Sequence, residues 1–269
     1  MSRYRVHRAG KSLLAMVLCL LLPGGFEAAR AGSGIAGGES RVTLDGQTLE
    51  VTWDADTHTA QTIAGVGDDL MEVKNIATLS RREVNDIGGL LVGKYVPLLK
   101  VRPDQLVLKK AEKTDGCWYV SYQQTVRGMV VVDSSLGFSI GPDGRIKSLG
   151  ALLYPGISPP AAAKVCRADA LKAACARLRE TEKREYRLLG ESVAIYPERK
   201  SGAIDYHRVY IFNLFPKGAT HPASAEDGLA VFVDARNGKI VRTRPLLKPL
   251  GCCLPTEPEK HSIEGVYTK

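Results

Sequence analysis

The chain has 269 residues, of which 44% are hydrophobic, so it is long enough to bury a core and fits one or two domains. Its 37 Lys and Arg against 29 Asp and Glu leave a net charge of +8. The basic residues are scattered among carboxylates without aromatic interleaving, which excludes a nucleic-acid-binding stripe. Six cysteines occur without a CxxC spacing, which argues against a zinc knuckle or a thioredoxin-like site.

The first 31 residues read as a leader. Arg3, Arg5, Arg8 and Lys11 precede an apolar run from Leu13 to Leu22, and Pro23-Gly24-Gly25 breaks it. Ala29-Arg30-Ala31 then offers a cleavage site before Gly32. That order predicts a secretory signal peptide cut between Ala31 and Gly32. The apolar run is far shorter than the ~20 residues that span a bilayer. Cys19 follows Leu18 rather than a small residue, which does not fit a lipoprotein site. The expected product is exported, periplasmic or extracellular, with no stable membrane span. Loss of the leader removes five basic residues and Glu27, taking the net charge from +8 to +4.

Val42 and Leu44 alternate with polar neighbours, Asp45-Gly46 supplies a turn, and Leu49, Val51 and Trp53 alternate again, which predicts a hairpin. Val84, Ile87, Leu90, Leu91 and Leu98 predict a helix over about 83–99, which Pro97 should end or kink. A strand is expected near Gln105 to Leu108, followed by the alternating, turn-punctuated stretch from Tyr119 to Leu149. After a Pro-rich linker, Ala170, Leu171, Ala174 and Leu178 share one face of a second predicted helix, about 167–185. Strands are then expected at Ser192–Tyr196, Tyr206–Leu214, Leu229–Val233 and Lys239–Thr243. "FSIGPDGRIKS" and "VFVDARNGKIVR" echo one another, each an apolar strand, a tight glycine turn and a basic residue before Ile. The predicted fold is α+β: two small modules, each an antiparallel sheet packed on a helix, following the signal peptide. The expected boundaries are 1–31 for the leader, 41–157 and 158–247 for the modules, and 248–269 for a polar, Cys-containing tail.

Little in the sequence points to catalysis. His58, His207, His221 and His261 include no i, i+4 pair, and no HExxH, GxSxG, GxxxxGK[ST] or GxGxxG occurs. Ser134-Ser135 continues a β-run, and Asp68-Asp69, Glu182 to Glu185 and Glu226-Asp227 read as solvated charge. No catalytic, cofactor-binding or metal residue is assigned, and a non-enzyme is expected. The five cysteines left after cleavage, Cys117, Cys166, Cys175, Cys252 and Cys253, are disulfide candidates in an oxidising compartment. Within one helix, Cys166 and Cys175 would stand ~13 Å apart, beyond the ~7 Å reach of a bridge. That pair therefore requires Cys166 to lie outside the helix on a returning segment.

The stretch "WYVSYQQTVRGMVVVDSSLGFSIGPDGRIKSLGALLYP" resembles the fungalysin/thermolysin propeptide motif, with Gln124, Gly128, Val130, Asp143, Gly144 and Gly150 at the matching positions. "VCRADALKAACARL" and "GLAVFVDARNGKIVRTRPLL" are similar to a PepSY domain, whose strand, turn and return match at Asp234, Asn237 and Gly238. The resemblance covers about residues 48–247 and implies structural roles for these positions. In that family the two modules precede a zinc peptidase domain, assist its folding and inhibit it. No peptidase domain follows here, so the resemblance implies action in trans on a protein partner, a thermolysin-like metallopeptidase. A candidate for lying across the protease cleft is "VRTRPLLKPLG". The alternatives are a structural or ligand-binding envelope protein that keeps only the fold, or the remnant of a truncated peptidase precursor.

Overall fold

The computed structural model describes residues 37–158, 160–200, 203–217 and 228–246. The leader, with its Ala31/Gly32 cleavage site, and the 248–269 tail with Cys252 and Cys253 lie outside these residues.

Strands β1 (Glu39–Leu44) and β2 (Gln47–Trp53) form the expected hairpin. Asp45 and Gly46 both take positive φ, 49° and 77°, the combination a type I′ turn requires. Strand β3 (Ala60–Gly65) returns beside β2, and the short β4 (Met71–Glu72) follows. Helix α1 (Arg81–Lys94) starts at Ser80, whose hydroxyl accepts from the Glu83 N–H while the Glu83 carboxylate accepts from the Ser80 N–H at 2.7 Å. This capping box satisfies two otherwise orphaned donors. The single helix expected up to Leu99 is divided. α1 stops at Tyr95, and Val96–Leu99 forms a separate turn, α2, with Pro97 in its first positions, where a missing N–H costs little.

Next come β5 (Leu106–Thr114), β6 (Cys117–Val126), β7 (Met129–Val131), β8 (Ser135–Ile140), β9 (Arg145–Ile146) and β10 (Ser148–Leu152). Beyond them lie helix α3 (Arg167–Glu182) and strands β11 (Tyr186–Lys200), β12 (Ala203–Pro216), β13 (Leu229–Asp234) and β14 (Ile240–Pro245). The architecture is α+β, with a large sheet and few helices.

The two separate sheets expected from the sequence are joined. One 12-stranded sheet runs β1-β2-β3-β10-β8-β6-β7-β11-β12-β13-β14, with β5 added on β6, and only β4 and β9 pair apart from it. The splice is β7. It pairs antiparallel with β6, Thr125 opposite Val130, and parallel with β11, Val130 opposite Ala194 and Val131 opposite Ile195. Three residues suffice because the type I′ turn at Arg127-Gly128, φ 50° and 76°, reverses the chain at once.

This register fixes which side chains share a face, because alternate residues of a strand point to opposite sides. Trp118, Val120 and Tyr122 of β6 pack in one buried cluster with Val84, Leu91 and Val92 of α1. Tyr210, Phe212 and Leu214 of β12 pack with Ala170, Ala174 and Leu178 of α3. Followed through β7, these two sets lie on the same face, so both long helices cover one side of a continuous sheet. Fully buried Leu49, Ile63, Leu91, Leu136 and Ile140 anchor the first cluster, each contributing about 1.5–3 kcal/mol by removal from water. Among the described residues the opposite face carries no helix, although Ala194, Val209 and Phe232 on its β11–β13 part are buried.

Candidate functional site

The sequence-matched positions fall into two groups. Gln124 is buried on the helix side of β6 and acts as a substitute for a neighbouring strand. Its amide donates to the Tyr154 carbonyl at 2.7 Å, and its side-chain oxygen accepts from the Tyr154 N–H at 2.9 Å. The Gln124 N–H donates to the Ser134 hydroxyl, which donates to the Val131 carbonyl at 2.7 Å. A glutamine satisfies a buried donor and acceptor together, and leaving them open would cost about 1–3 kcal/mol each. Asp143, Gly144, Asp234, Asn237 and Gly238 build turns. The Asp143 carboxylate accepts from the Arg145 N–H, and Gly144 sits at φ 81° with its α-hydrogen facing the Val73 carbonyl. Asp234 accepts from the Arg236 N–H at 2.7 Å, Asn237 accepts from Lys239, and Gly238 takes φ 72°. Gly150 differs. It lies exposed on the helix-free face, between Thr62 and Gly137, with open space where a side chain would be.

Val130 is also exposed on that face. It lies in β7 beside Thr125, whose face-mates along β6 are Gln123, Ser121 and Tyr119, while Val107 of β5 stands opposite Gln123. Val107, Tyr119 and Val130 are 53%, 52% and 37% exposed, and so form half of the large exposed apolar residues among those described. An open groove of about 350 Å³ begins at Val130, lined also by Val132 and Ile211 with Gln123, Asp133 and Arg244. The groove sits where the two halves of the sheet meet. One wall is fixed by Asp133, which accepts from Arg242 and Arg244 of β14. Among the described residues strand β5 pairs with β6 alone, which leaves its outer edge for an added strand.

The tip of the β11–β12 hairpin carries charge on both faces. On the helix side, Arg199 donates to Asp54 and Asp56 of the β2–β3 loop at 3.0 and 2.8 Å, and stacks over the Tyr154 ring. Asp54 is almost wholly buried, which opposes its charge. The Thr57 N–H, Arg199 and the Gln61 amide nevertheless hold its carboxyl down to about 2.

On the helix-free side, Glu198 stands directly opposite Asp205, and His207 takes the next position on that face. The His207 Nε2 lies 3.1 Å from Glu198 and its Nδ1 lies 3.0 Å from Asp234 of β13. Lys200 donates to both Glu198 and Asp205, at 3.0 and 2.7 Å, which holds both carboxyls below their ordinary values. Glu198, Asp205 and His207 can converge on a metal ion, since one donor atom from each lies within 4.8 Å of the others. Sequence reasoning missed this group because no two of its members have a metal-binding spacing. The signal lay in the β11–β12 register, which pairs Glu198 with Asp205 and so puts 198, 205 and 207 on one face.

Comparison with known proteins adds little. No family model matches the chain, and no curated protein matches it. Among solved structures, the chain is similar to the Bacillus megaterium YpeB C-terminal domain, at 13% identity, covering 78% of this chain and 83% of that one with a TM-score of 0.38. It is also similar to an uncharacterized protein from Eubacterium rectale, at 10% identity, 78% and 77% coverage and a TM-score of 0.40. Likenesses of this size carry no argument about fold or function.

The disulfide candidates within the described residues are not bridged. Cys117, Cys166 and Cys175 are free thiols. Cys117 begins β6, whereas Cys166 caps α3 by accepting from the Asp169 N–H and donating to the Asp169 carboxylate. Cys166 thus sits at the mouth of the helix that carries Cys175 rather than on a returning segment, and the separation between them stands. Burial pushes the Cys175 thiol up, away from reactivity. Among the described residues no helix is long and apolar enough to cross a membrane.

Proposed function

We propose that this chain is an exported, non-catalytic interaction protein whose helix-free sheet face and open β5 edge receive a protein partner. The observation that carries the reading is the alignment of Val107, Tyr119 and Val130 on one exposed face beside the groove and a free strand edge. Exposed apolar side chains gathered in one place mark binding surfaces. An extended segment laid along β5 would gain main-chain hydrogen bonds as well as apolar contact. The propeptide and PepSY resemblance names the partner class, a thermolysin-like metallopeptidase that the chain would inhibit or help to fold. The deciding experiment adds the purified chain to thermolysin-like peptidases and to their refolding reactions. A concentration-dependent change in activity or refolding yield is expected, and Val130→Asp should weaken it at least tenfold. No change with any peptidase would sink the partner assignment.

A ligand-binding envelope protein is the second reading, favoured by the position of the groove between the two halves of the sheet. Its volume lies at the small end of ligand sites, and Gln123, Asp133 and Arg244 supply convergent polar groups on its wall. Thermal stabilisation by a small-molecule panel, lost in Val130→Asp, would support it over a protein partner.

A further inference from the structure

We propose that Glu198, Asp205 and His207 form a binding site for a divalent transition-metal ion, with Zn²⁺ the best match to its donors. The site is independent of the docking reading. Its first support is register. Glu198 and Asp205 are cross-strand partners and His207 is the adjacent residue on the same face, so two rigid strands bring one nitrogen and two carboxylates together. Like charges placed directly opposite each other are unfavourable in a sheet, and here the Lys200 ammonium holds the place that a metal ion would take between them.

The second support is the orientation of His207. Asp234, with only 4% of its side chain exposed, faces the His207 Nδ1 at 3.0 Å. A carboxylate on one ring nitrogen fixes the tautomer and turns the other outward as a ligand, the arrangement that commonly backs a metal-bound histidine. With Nδ1–H given to Asp234, the lone pair of Nε2 faces the Glu198 carboxylate at 3.1 Å. The Nε2 lone pair and that carboxylate converge on one point that a metal ion can occupy. The Lys200 ammonium already lies against both carboxylates, on a flexible stem that is 56% exposed. It can swing into solvent when a metal enters, because exposed ion pairs of this kind hold little energy.

The donor set selects the ion. Imidazole with two carboxylates suits Zn²⁺, whereas Ca²⁺ prefers six or more oxygens and Mg²⁺ keeps most of its waters. Three protein donors leave a position for water or for a donor from a partner. A bound ion would cross-link β11 to β12 and, through Asp234, bear on β13.

The test is calorimetric titration of the chelator-treated full chain with Zn²⁺, with circular dichroism as the check on folding. One saturable site is expected, with a raised thermal midpoint. His207→Ala and Glu198→Gln should each weaken binding at least tenfold. Lys200→Met should tighten it, since no ammonium then competes, a result that a purely structural ion-pair cluster would not give. Retention of the site in His207→Ala would overturn the proposal, placing the ion on other histidines or cysteines. So would the absence of a saturable site in both the native chain and Lys200→Met. An equal response to Mg²⁺ or Ca²⁺ would overturn the transition-metal assignment. Should His207→Ala fail to fold, Glu198→Gln and Lys200→Met decide the matter.

Discussion

Gln124 does by side chain what a neighbouring strand would do by backbone, pairing with both the N–H and the carbonyl of Tyr154 inside the protein. Truncation to alanine removes both partners and leaves two buried polar groups unpaired. Gln124→Ala should therefore lose about 2–4 kcal/mol of stability, read as a lower urea midpoint with an unchanged slope. The sequence marked Gln124 only through resemblance. Its role was not legible locally, because Tyr154 is thirty residues away and the intervening chain makes four strands first. His207 was less legible still. Its partners Glu198 and Asp234 come from different strands, and only the β11–β12 and β12–β13 registers set them around the ring.

At the scale of elements, the glycines of α1 are better explained by packing than by helix propensity. Gly88, Gly89 and Gly93 are poor helix formers, yet α1 forms over Arg81–Lys94 with its capping box intact. Gly88 has a reason to be glycine. A β-carbon there would run into the Tyr122 hydroxyl, which donates to the Asn85 carbonyl on the same helix at 3.2 Å. Gly88→Ala should cost about 1–3 kcal/mol despite alanine's higher propensity, because the overpacking outweighs it. In a Tyr122→Phe background the cost should shrink, and a double-mutant cycle on thermal or urea unfolding measures the difference. Unchanged cost in that background would mean that the helix itself, not the contact, resists the substitution.

At the scale of the whole molecule, the links between the halves of the chain include the β7 splice and the Arg199 bridge to Asp54 and Asp56. The second of these titrates. Asp54 has a carboxyl near 2 in the folded chain against an ordinary 3.8, so its contribution is complete above about pH 4 and is lost as pH falls towards 2. The loss should reach about 2 kcal/mol, and Asp54→Asn should flatten stability over that window in acid-unfolding curves. The features legible in the chain are local ones. Asp45-Gly46, Asp143-Gly144 and Asn237-Gly238 mark turns because glycine accepts positive φ, Ser80 and Glu83 start a helix, and the period of the apolar residues separates strand from helix. The non-local features belong to the tertiary structure: β7 fuses the strands into one sheet, both long helices fall on the same side of it, and the other side carries Val107, Tyr119, Val130 and the His207 cluster. Turn chemistry acts over a few residues. The pairing of β7 with β11 joins residues more than sixty positions apart, and no local pattern records which distant edge a short strand will meet.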